Sequence, residues 1–258
     1  MRLDKYLSEK GFTKSREAAQ KLIAAGNVLV NGKSVTKASF SVDETDSPAI
    51  GLVGELPRYV SRGGLKLEKA LDEFHLDVSG LSALDVGAST GGFTDCLLSR
   101  GIASVKAIDV GRSQLDPKIA ADRRVTSYEG VNARYLTPDR IGGQVDLAVC
   151  DVSFISLTLI FPAVRKTVKE KGRFVTLIKP QFEAGRSGVG KGGIVRDREI
   201  HVSVIEKVIA SAEENHFFCA ALTSSPIEGG DGNREYLALF DAEGGFDRHL
   251  IRKVVFGA

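Results

Sequence analysis

The ten residues Leu84-Asp85-Val86-Gly87-Ala88-Ser89-Thr90-Gly91-Gly92-Phe93 constrain this chain more than any other stretch. An apolar run breaks into a glycine-rich turn, and apolar residues then resume at helical spacing. A strand that ends this way and feeds a helix brings backbone amides close to a nucleotide-like ligand, and it commits the region to an α/β sheet. From Tyr59 onward apolar strands alternate with helices, the signature of a parallel sheet with helices on both faces. The spacing predicts strands over 82–87, 105–110, 124–128, 145–150, 173–179, 217–223 and 235–241, with helices over 64–74, 92–100, 154–170 and 198–215.

The loop chemistry narrows the ligand. A dinucleotide fingerprint would read Gly-x-Gly-x-x-Gly, whose second glycine admits a pyrophosphate. Ser89 occupies that place. The stretch instead resembles the S-adenosylmethionine motif Asp-x-Gly-x-x-x-Gly, with Asp85 placed to orient the loop or to reach the methionine ammonium. Asp109 ends the next strand, 24 residues later, where an acid accepts hydrogen bonds from ribose hydroxyls. A plain strand–turn–helix is the bland alternative, and two acids at neighbouring strand ends count against it. Further on, Gly185-x-x-x-x-Gly190-Lys191 nearly spells a phosphate-binding loop. Gly192 stands where Ser or Thr would hold magnesium, so the segment reads as a basic substrate loop.

Four polar residues follow or open apolar runs: Lys66, Asp151, Lys179 and Glu235. Asp151 and Lys179 stand at the carboxyl ends of core strands, where open α/β sheets hold ligands. Each alone is an ordinary salt-bridge partner; together at one sheet edge they suggest acid–base work. A lysine near a carboxylate, partly desolvated, serves as a base or proton relay for a poor nucleophile such as a sugar hydroxyl.

The chain of 258 residues has room for one large domain and one small one. No run approaches the ~20 apolar residues of a membrane span, and Met1-Arg2-Leu3-Asp4-Lys5 lacks the apolar core of a signal peptide. Cys96, Cys150 and Cys219 are odd in number and set in apolar runs. They read as buried thiols of a cytoplasmic protein, with no disulfide framework and no metal site. Charge is uneven: residues 1–37 hold eight Lys/Arg against three acids, while the whole chain is only +2. A basic end on a near-neutral body is a handle for a polyanion.

Within that end, Leu3, Leu7, Ala19, Leu22 and Ile23 recur at helical spacing, Ser15 caps the second helix, and Gly26 ends it. Val28 and Val30 alternate into Asn31-Gly32, a hairpin signal, and Val35 returns. Acidic residues and two prolines over 38–60 mark the join. The expected domains are 1–54, a linker over 55–60, and 61–258.

Arg2-Leu3-Asp4-Lys5-x-Leu7, followed by Ser15-Arg16-x-x-Ala19-x-x-Leu22-Ile23-x-x-Gly26-x-Val28-x-Val30-Asn31-Gly32, resembles the S-four-type RNA-binding module. The resemblance implies that Arg2, Lys14, Arg16, Lys21 and Lys33 follow folded RNA through phosphates and shape. Taken whole, the chain resembles the TlyA family of ribosomal RNA 2′-O-methyltransferases, some labelled hemolysin, and its larger half resembles FtsJ-type methyltransferases. Ser61-Arg62-Gly63, Gly87 to Thr94, Asp151 to Leu157, Lys179-Pro180-Gln181-Phe182-Glu183 and Gly232 to Tyr236 carry this likeness.

The resemblance implies an α/β, Rossmann-like class I methyltransferase domain, its last strand antiparallel, behind a small N-terminal α+β RNA-binding domain. It implies S-adenosylmethionine at Asp85, Gly87, Ala88, Ser89, Thr90, Gly91, Gly92, Phe93, Asp109, Val110 and Asp151. It puts catalysis on Lys66 (with Lys69 as a rival), Asp151, Lys179 and Glu235. The implied partner is ribosomal RNA or a ribosomal subunit, with neither a membrane nor an obligate protein partner. Asp151-Val152-Ser153-Phe154 also resembles the loop of amino methyltransferases that stacks a ring on a flipped base, so base methylation is one alternative. Membrane lysis, from the hemolysin label, is another, and an RNA-binding protein with a silent methyltransferase half is a third.

Overall fold

The computed structural model describes residues 1–13, 15–24, 26–43, 48–53, 58–229 and 232–257, leaving aside the side chains of 186 and 187. Lys14, one of the expected RNA contacts, lies outside the described residues. The chain divides into two compact units, 1–56 and 57–258.

The small unit opens with α1 (Leu3–Glu9) and α2 (Arg16–Ala24). Ser15 Oγ accepts the Ala18 amide at 3.1 Å, the capping bond that satisfies a free helix donor. Beyond α2, Gly26 takes φ +74°, and the Gly26 and Asn27 amides return to the Ile23 and Leu22 carbonyls. β1 (Val28–Val30) and β2 (Lys33–Ser34) pair antiparallel. Asn31 and Gly32 between them have φ +51° and +78°, as a type I′ turn requires. β3 (Ile50–Leu52) covers the other edge of β1; with glycine at its centre it carries little strand signal in the sequence. Leu3, Leu7, Ala19, Leu22, Ile23, Val28 and Val30 meet in one core.

The large unit runs α3 (Gly63–Glu73), β4 (Ser82–Val86), α4 (Gly92–Ser99), β5 (Ser104–Asp109), α5 (Pro117–Ala120), β6 (Val125–Glu129), β7 (Val145–Cys150), α6 (Phe161–Thr167), β8 (Val168–Ile178), α7 (Pro180–Glu183), α8 (Gly185–Gly188), α9 (Arg198–Glu214), β9 (Phe218–Ser224), β10 (Tyr236–Asp241) and α10 (Leu250–Phe256). Its sheet has the order β6-β5-β4-β7-β8-β10-β9. β4 to β8 pair in parallel, and β10 inserts antiparallel between β8 and β9. Alternate residues of one strand face opposite ways. Leu84, Val86, Ala148, Cys150, Phe174 and Ile178 therefore enter one core with Phe161, Ile205 and Val208. Ala83, Leu147, Val149, Val175 and Leu177 enter a second core with Leu67, Leu71 and Leu97. Each large apolar side chain so buried contributes about 1.5–3 kcal/mol. The two cores fix the strand ends, and the site stands on those ends.

Two expectations fail here. A continuous helix over 154–170 does not form: Leu157–Leu159 is a single 3₁₀ turn, α6 begins at Phe161, and β8 already starts at Val168. Pro162 explains the late start, because within a long helix it would remove a hydrogen bond and clash with the preceding turn, whereas in the first turn it fits. Residues 58–60 of the expected linker are also not free chain. Tyr59 is buried in the second core, and the Val60 amide donates to Asp95 Oδ2 at 2.9 Å.

Candidate active site

The glycine-rich loop turns sharply after β4. Gly87 has φ +82°, and a Cβ there would sit 2.7 Å from the Asp151 carbonyl oxygen, so only glycine fits between the ends of β4 and β7. The Gly87 and Ala88 amides bond to the Ile108 carbonyl at 2.9 and 3.1 Å. Asp109 accepts the Ser89 amide at 2.8 Å and the Gly111 amide at 2.7 Å. The acid at the end of β5 thus organises the loop whose ligand it was expected to hold. Asp109, Ala88, Ser89, Gln114 and Leu115 line a narrow cavity. Val110, next in sequence, is largely exposed.

Asp85 is fully buried. Its Oδ2 accepts the Thr94 hydroxyl at 2.6 Å, and its Oδ1 has no hydrogen-bond partner. Burial pushes this carboxyl up to about 7, against the Thr94 bond and with help from the nearby Asp151 charge. Of its two expected roles, orienting the loop against α4 matches this placement. Asp85 is not among the residues lining the pocket.

The four catalytic candidates resolve into two ion pairs. Lys66 Nζ, on α3, donates to Glu235 Oε2 at 2.6 Å, both groups buried. Lys179 Nζ lies 2.6 Å from Asp151 Oδ1 and donates to Ser153 Oγ at 2.9 Å. The Asp151 contact is an ion pair and not a hydrogen bond. Lys69 instead pairs with Glu73 one helical turn on, at the surface. Of the two lysines, Lys66 is thus the one that pairs with another of the four candidates.

Lys66, Asp151, Ser153 and Lys179 share a pocket of about 310 Å³ with Ser61, Arg62, Gly63, the loop Gly87 to Thr90, Gly92 and Phe93. Glu235 holds Lys66 from behind and lines a different cavity, with Arg234 and Tyr236. A roomier cavity of about 400 Å³ lies between α7 and α9, but it carries no residue of the two ion pairs or the loop. Ser153, Ser61 and Arg62 are not among the site residues the sequence points to; all three lie inside motifs that carry the family likeness, and that is the signal they give.

In the small unit, Arg2, Arg16, Lys21 and Lys33 are all exposed. Arg2 bonds Asp4 through Nε and Nη2 at 3.0 and 3.1 Å, and Arg16 Nε reaches the same carboxylate at 2.9 Å. Gln20 adds a fourth bond at 2.8 Å. The Arg2 guanidinium, with Gln20 and Arg16, holds the Asp4 carboxyl far below the usual carboxylate range despite its burial. Two of the expected RNA contacts are thus fixed in place by one buried acid.

The model of the FtsJ-like methyltransferase family matches residues 59–242, and that of the S4 domain matches residues 1–47. The chain belongs to the FtsJ-like methyltransferase family, in its TlyA branch. The 16S/23S rRNA (cytidine-2′-O)-methyltransferase TlyA of Mycobacterium tuberculosis is 43% identical over 236 residues, covering 91% of this chain and 87% of the relative. Hemolysin A of Brachyspira hyodysenteriae is 46% identical over 241 residues, 93% of this chain and 99% of that protein. A solved Streptococcus thermophilus structure labelled as a hemolysin superimposes with a TM-score of 0.79 at 44% identity, covering 100% of this chain and 94% of the other. The hemolysin label travels with the TlyA branch. Among the described residues of this FtsJ-like protein, no helix is long and apolar enough to cross a membrane.

Proposed function

We propose that this FtsJ-like enzyme transfers the methyl group of S-adenosylmethionine to a ribose 2′-hydroxyl of ribosomal RNA in the cytoplasm, with a cytidine as target, as in the TlyA relative. Residues 1–54 act as the RNA handle, joined through 55–57 to a methyltransferase domain that takes in Tyr59 and Val60 ahead of the expected 61–258. The observation that carries the reading is Lys179, held between Asp151 and Ser153 on the same pocket as the glycine-rich loop.

The residues present suit the cofactor. The wall at Gly87 has no room for a side chain, the orphaned Asp85 oxygen lies behind the loop, and the Asp109 carboxylate faces the adjoining narrow cavity. Gly87 to Phe93 would hold the methionine end and Asp109 the ribose. When bound, S-adenosylmethionine supplies an electrophilic methyl group on a sulfonium centre. Lys179 Nζ, once it has passed a proton to Asp151 or to water, would take up the proton of the attacking 2′-hydroxyl. Asp151 keeps that lysine at the pocket, Ser153 sets its direction, and the Lys66–Glu235 pair fixes a second balanced charge beside it. Phe154, the ring behind the base-methylation alternative, is 91% exposed. An exposed ring next in sequence to Ser153, which lines the pocket, would serve as a stacking surface for a displaced base whichever atom is methylated.

Lys179→Ala is expected to bind cofactor and RNA but to transfer methyl groups at least ~10²-fold more slowly, the scale for losing a positioned acid–base group. Lys179→Arg should be nearly as poor, since a guanidinium does not give up its proton. Turnover near wild type in the Arg variant, read by mapping 2′-O-methyl marks on ribosomal RNA, would overturn the ribose mechanism and favour base methylation through Asp151 and Phe154.

A further inference from the structure

Residues 151–157 leave β7 beside the pocket, which Asp151 and Ser153 line, and return to the core at Leu157; two side chains of one short segment fasten them. At the near end, Lys179 Nζ donates to Ser153 Oγ at 2.9 Å. At the far end, Glu183 accepts the Leu157 amide at 2.7 Å and the Ser156 hydroxyl at 2.6 Å. Ser156 Oγ in turn accepts the Thr158 amide at 3.2 Å, which starts the 3₁₀ turn. Lys179 and Glu183 sit immediately before and at the end of α7, so both fastenings belong to one rigid turn.

Glu183 is only 4% exposed, and no basic side chain forms an ion pair with it among the described residues. A buried acid in that position is costly unless hydrogen bonds compensate, so its two short bonds account for its place. Between the fastenings stands Phe154 with φ +62°. A left-handed backbone at a bulky residue is strained and persists only where its surroundings impose it. The Phe154 ring meets Phe182, the residue before Glu183, with centroids 5.1 Å apart. Lys179 Nζ lies 6.0 Å from the Phe182 ring centroid. Loop backbone, aromatic pair and reactive lysine therefore share one anchor.

We infer that Glu183 is the positioning residue of the site: its buried carboxylate clamps Ser156 and Leu157 onto α7 and so holds Ser153 and Phe154 over Lys179. The catalytic part of this inference rests on the methyltransferase reading above; the clamp itself does not. Without the carboxylate, the strained Phe154 backbone relaxes, its ring leaves Phe182, and Ser153 drifts from Lys179.

The chain has no tryptophan, so Phe154→Trp places a single fluorescent reporter at the loop. In that background Glu183→Ala should lower the steady-state anisotropy of the introduced indole, while Glu183→Gln should preserve it. The amide oxygen can still accept the Leu157 amide and the amide NH₂ can donate to Ser156. In the otherwise native chain, Glu183→Ala should reduce kcat at least ~10-fold with KM for S-adenosylmethionine unchanged, the penalty of misplacing a reacting group; Glu183→Gln should restore most of it. If the Ala variant does not fold, Ser156→Ala removes one of the two bonds and should give an intermediate loss of anisotropy. Unchanged anisotropy in both Glu183→Ala and Ser156→Ala would overturn the clamp whether or not the enzyme methylates RNA. Loss of anisotropy and kcat in Glu183→Gln equal to that in the Ala variant would overturn it too. Absence of 2′-O-methyl product with the wild-type chain, at normal anisotropy contrasts, would instead count against the methyltransferase reading alone.

Discussion

Asp4 in the small unit and Asp85 in the large one are both fully buried aspartates, yet their carboxyls shift in opposite directions. Two arginines, a glutamine and a backbone amide surround Asp4, and they keep it ionised far into acid. Asp85 has one hydroxyl and an apolar setting, and burial raises its carboxyl to about 7. Burial alone therefore says little about a carboxylate; its partners decide the sign. The contrast follows what each unit must do. A unit with a small core uses a buried acid to arrange cations on its surface. A unit with two large cores tolerates a poorly solvated acid beneath its glycine-rich loop.

The division of labour behind that contrast has the largest expected consequence. A chain reduced to residues 57–258 should still bind S-adenosylmethionine by calorimetry, because loop and pocket belong to that unit, but its methylation of ribosomal RNA should fall most of all. Undiminished activity on the natural substrate would remove the small unit as the RNA handle and break the comparison.

The next effect is on stability. An unfolded aspartate titrates near 3.8, while folded Asp85 keeps its proton up to about 7. The folded state therefore binds the extra proton between those values, and stability falls as pH rises through that window. The decline is on the order of a few kcal/mol. Urea unfolding of the large unit at pH 5 and pH 8 should show it, and Asp85→Asn should flatten it. A wild-type profile that does not fall across this range would mean that Asp85 is better solvated than its burial indicates.

For Asp4 the sign reverses. Its depressed folded value makes its contribution complete above the unfolded carboxylate range and lost as pH falls below it. Asp4→Asn at neutral pH should weaken the small unit by about 1–3 kcal/mol, the scale of a hydrogen bond to a charged group. Hydrogen exchange of α1 and α2 amides would measure the loss. The same variant should weaken RNA binding more than an exposed acid-to-amide change elsewhere, since Arg2 and Arg16 lose their common anchor. RNA affinity unaltered by Asp4→Asn would show that those arginines need no fixed geometry.

Much of this protein is set by signals that act over a few residues. Asn31-Gly32 dictates a turn because few other pairs tolerate two positive φ angles. Ser15 and Asp197 start helices by accepting amides three and two residues ahead. Gly87 marks the loop, and alternating apolar residues mark the strands, because period and turn chemistry are local properties. Position at strand ends and resemblance both point to the four polar residues of the candidate site, but how they pair is not legible in the sequence. Lys66 and Lys69 differ by less than a helical turn, and only Glu235, 169 residues away, separates them. The break at Pro162 is a local signal that outweighs the apolar spacing around it. The burial of Asp85 behind its loop and the reach of Glu183 back to Leu157 depend instead on which strand ends the sheet brings together. Local sequence fixes where the chain turns and which face is apolar. Which charges meet is fixed by packing, because the cost of leaving a buried charge without partners is settled only when distant strands close around it.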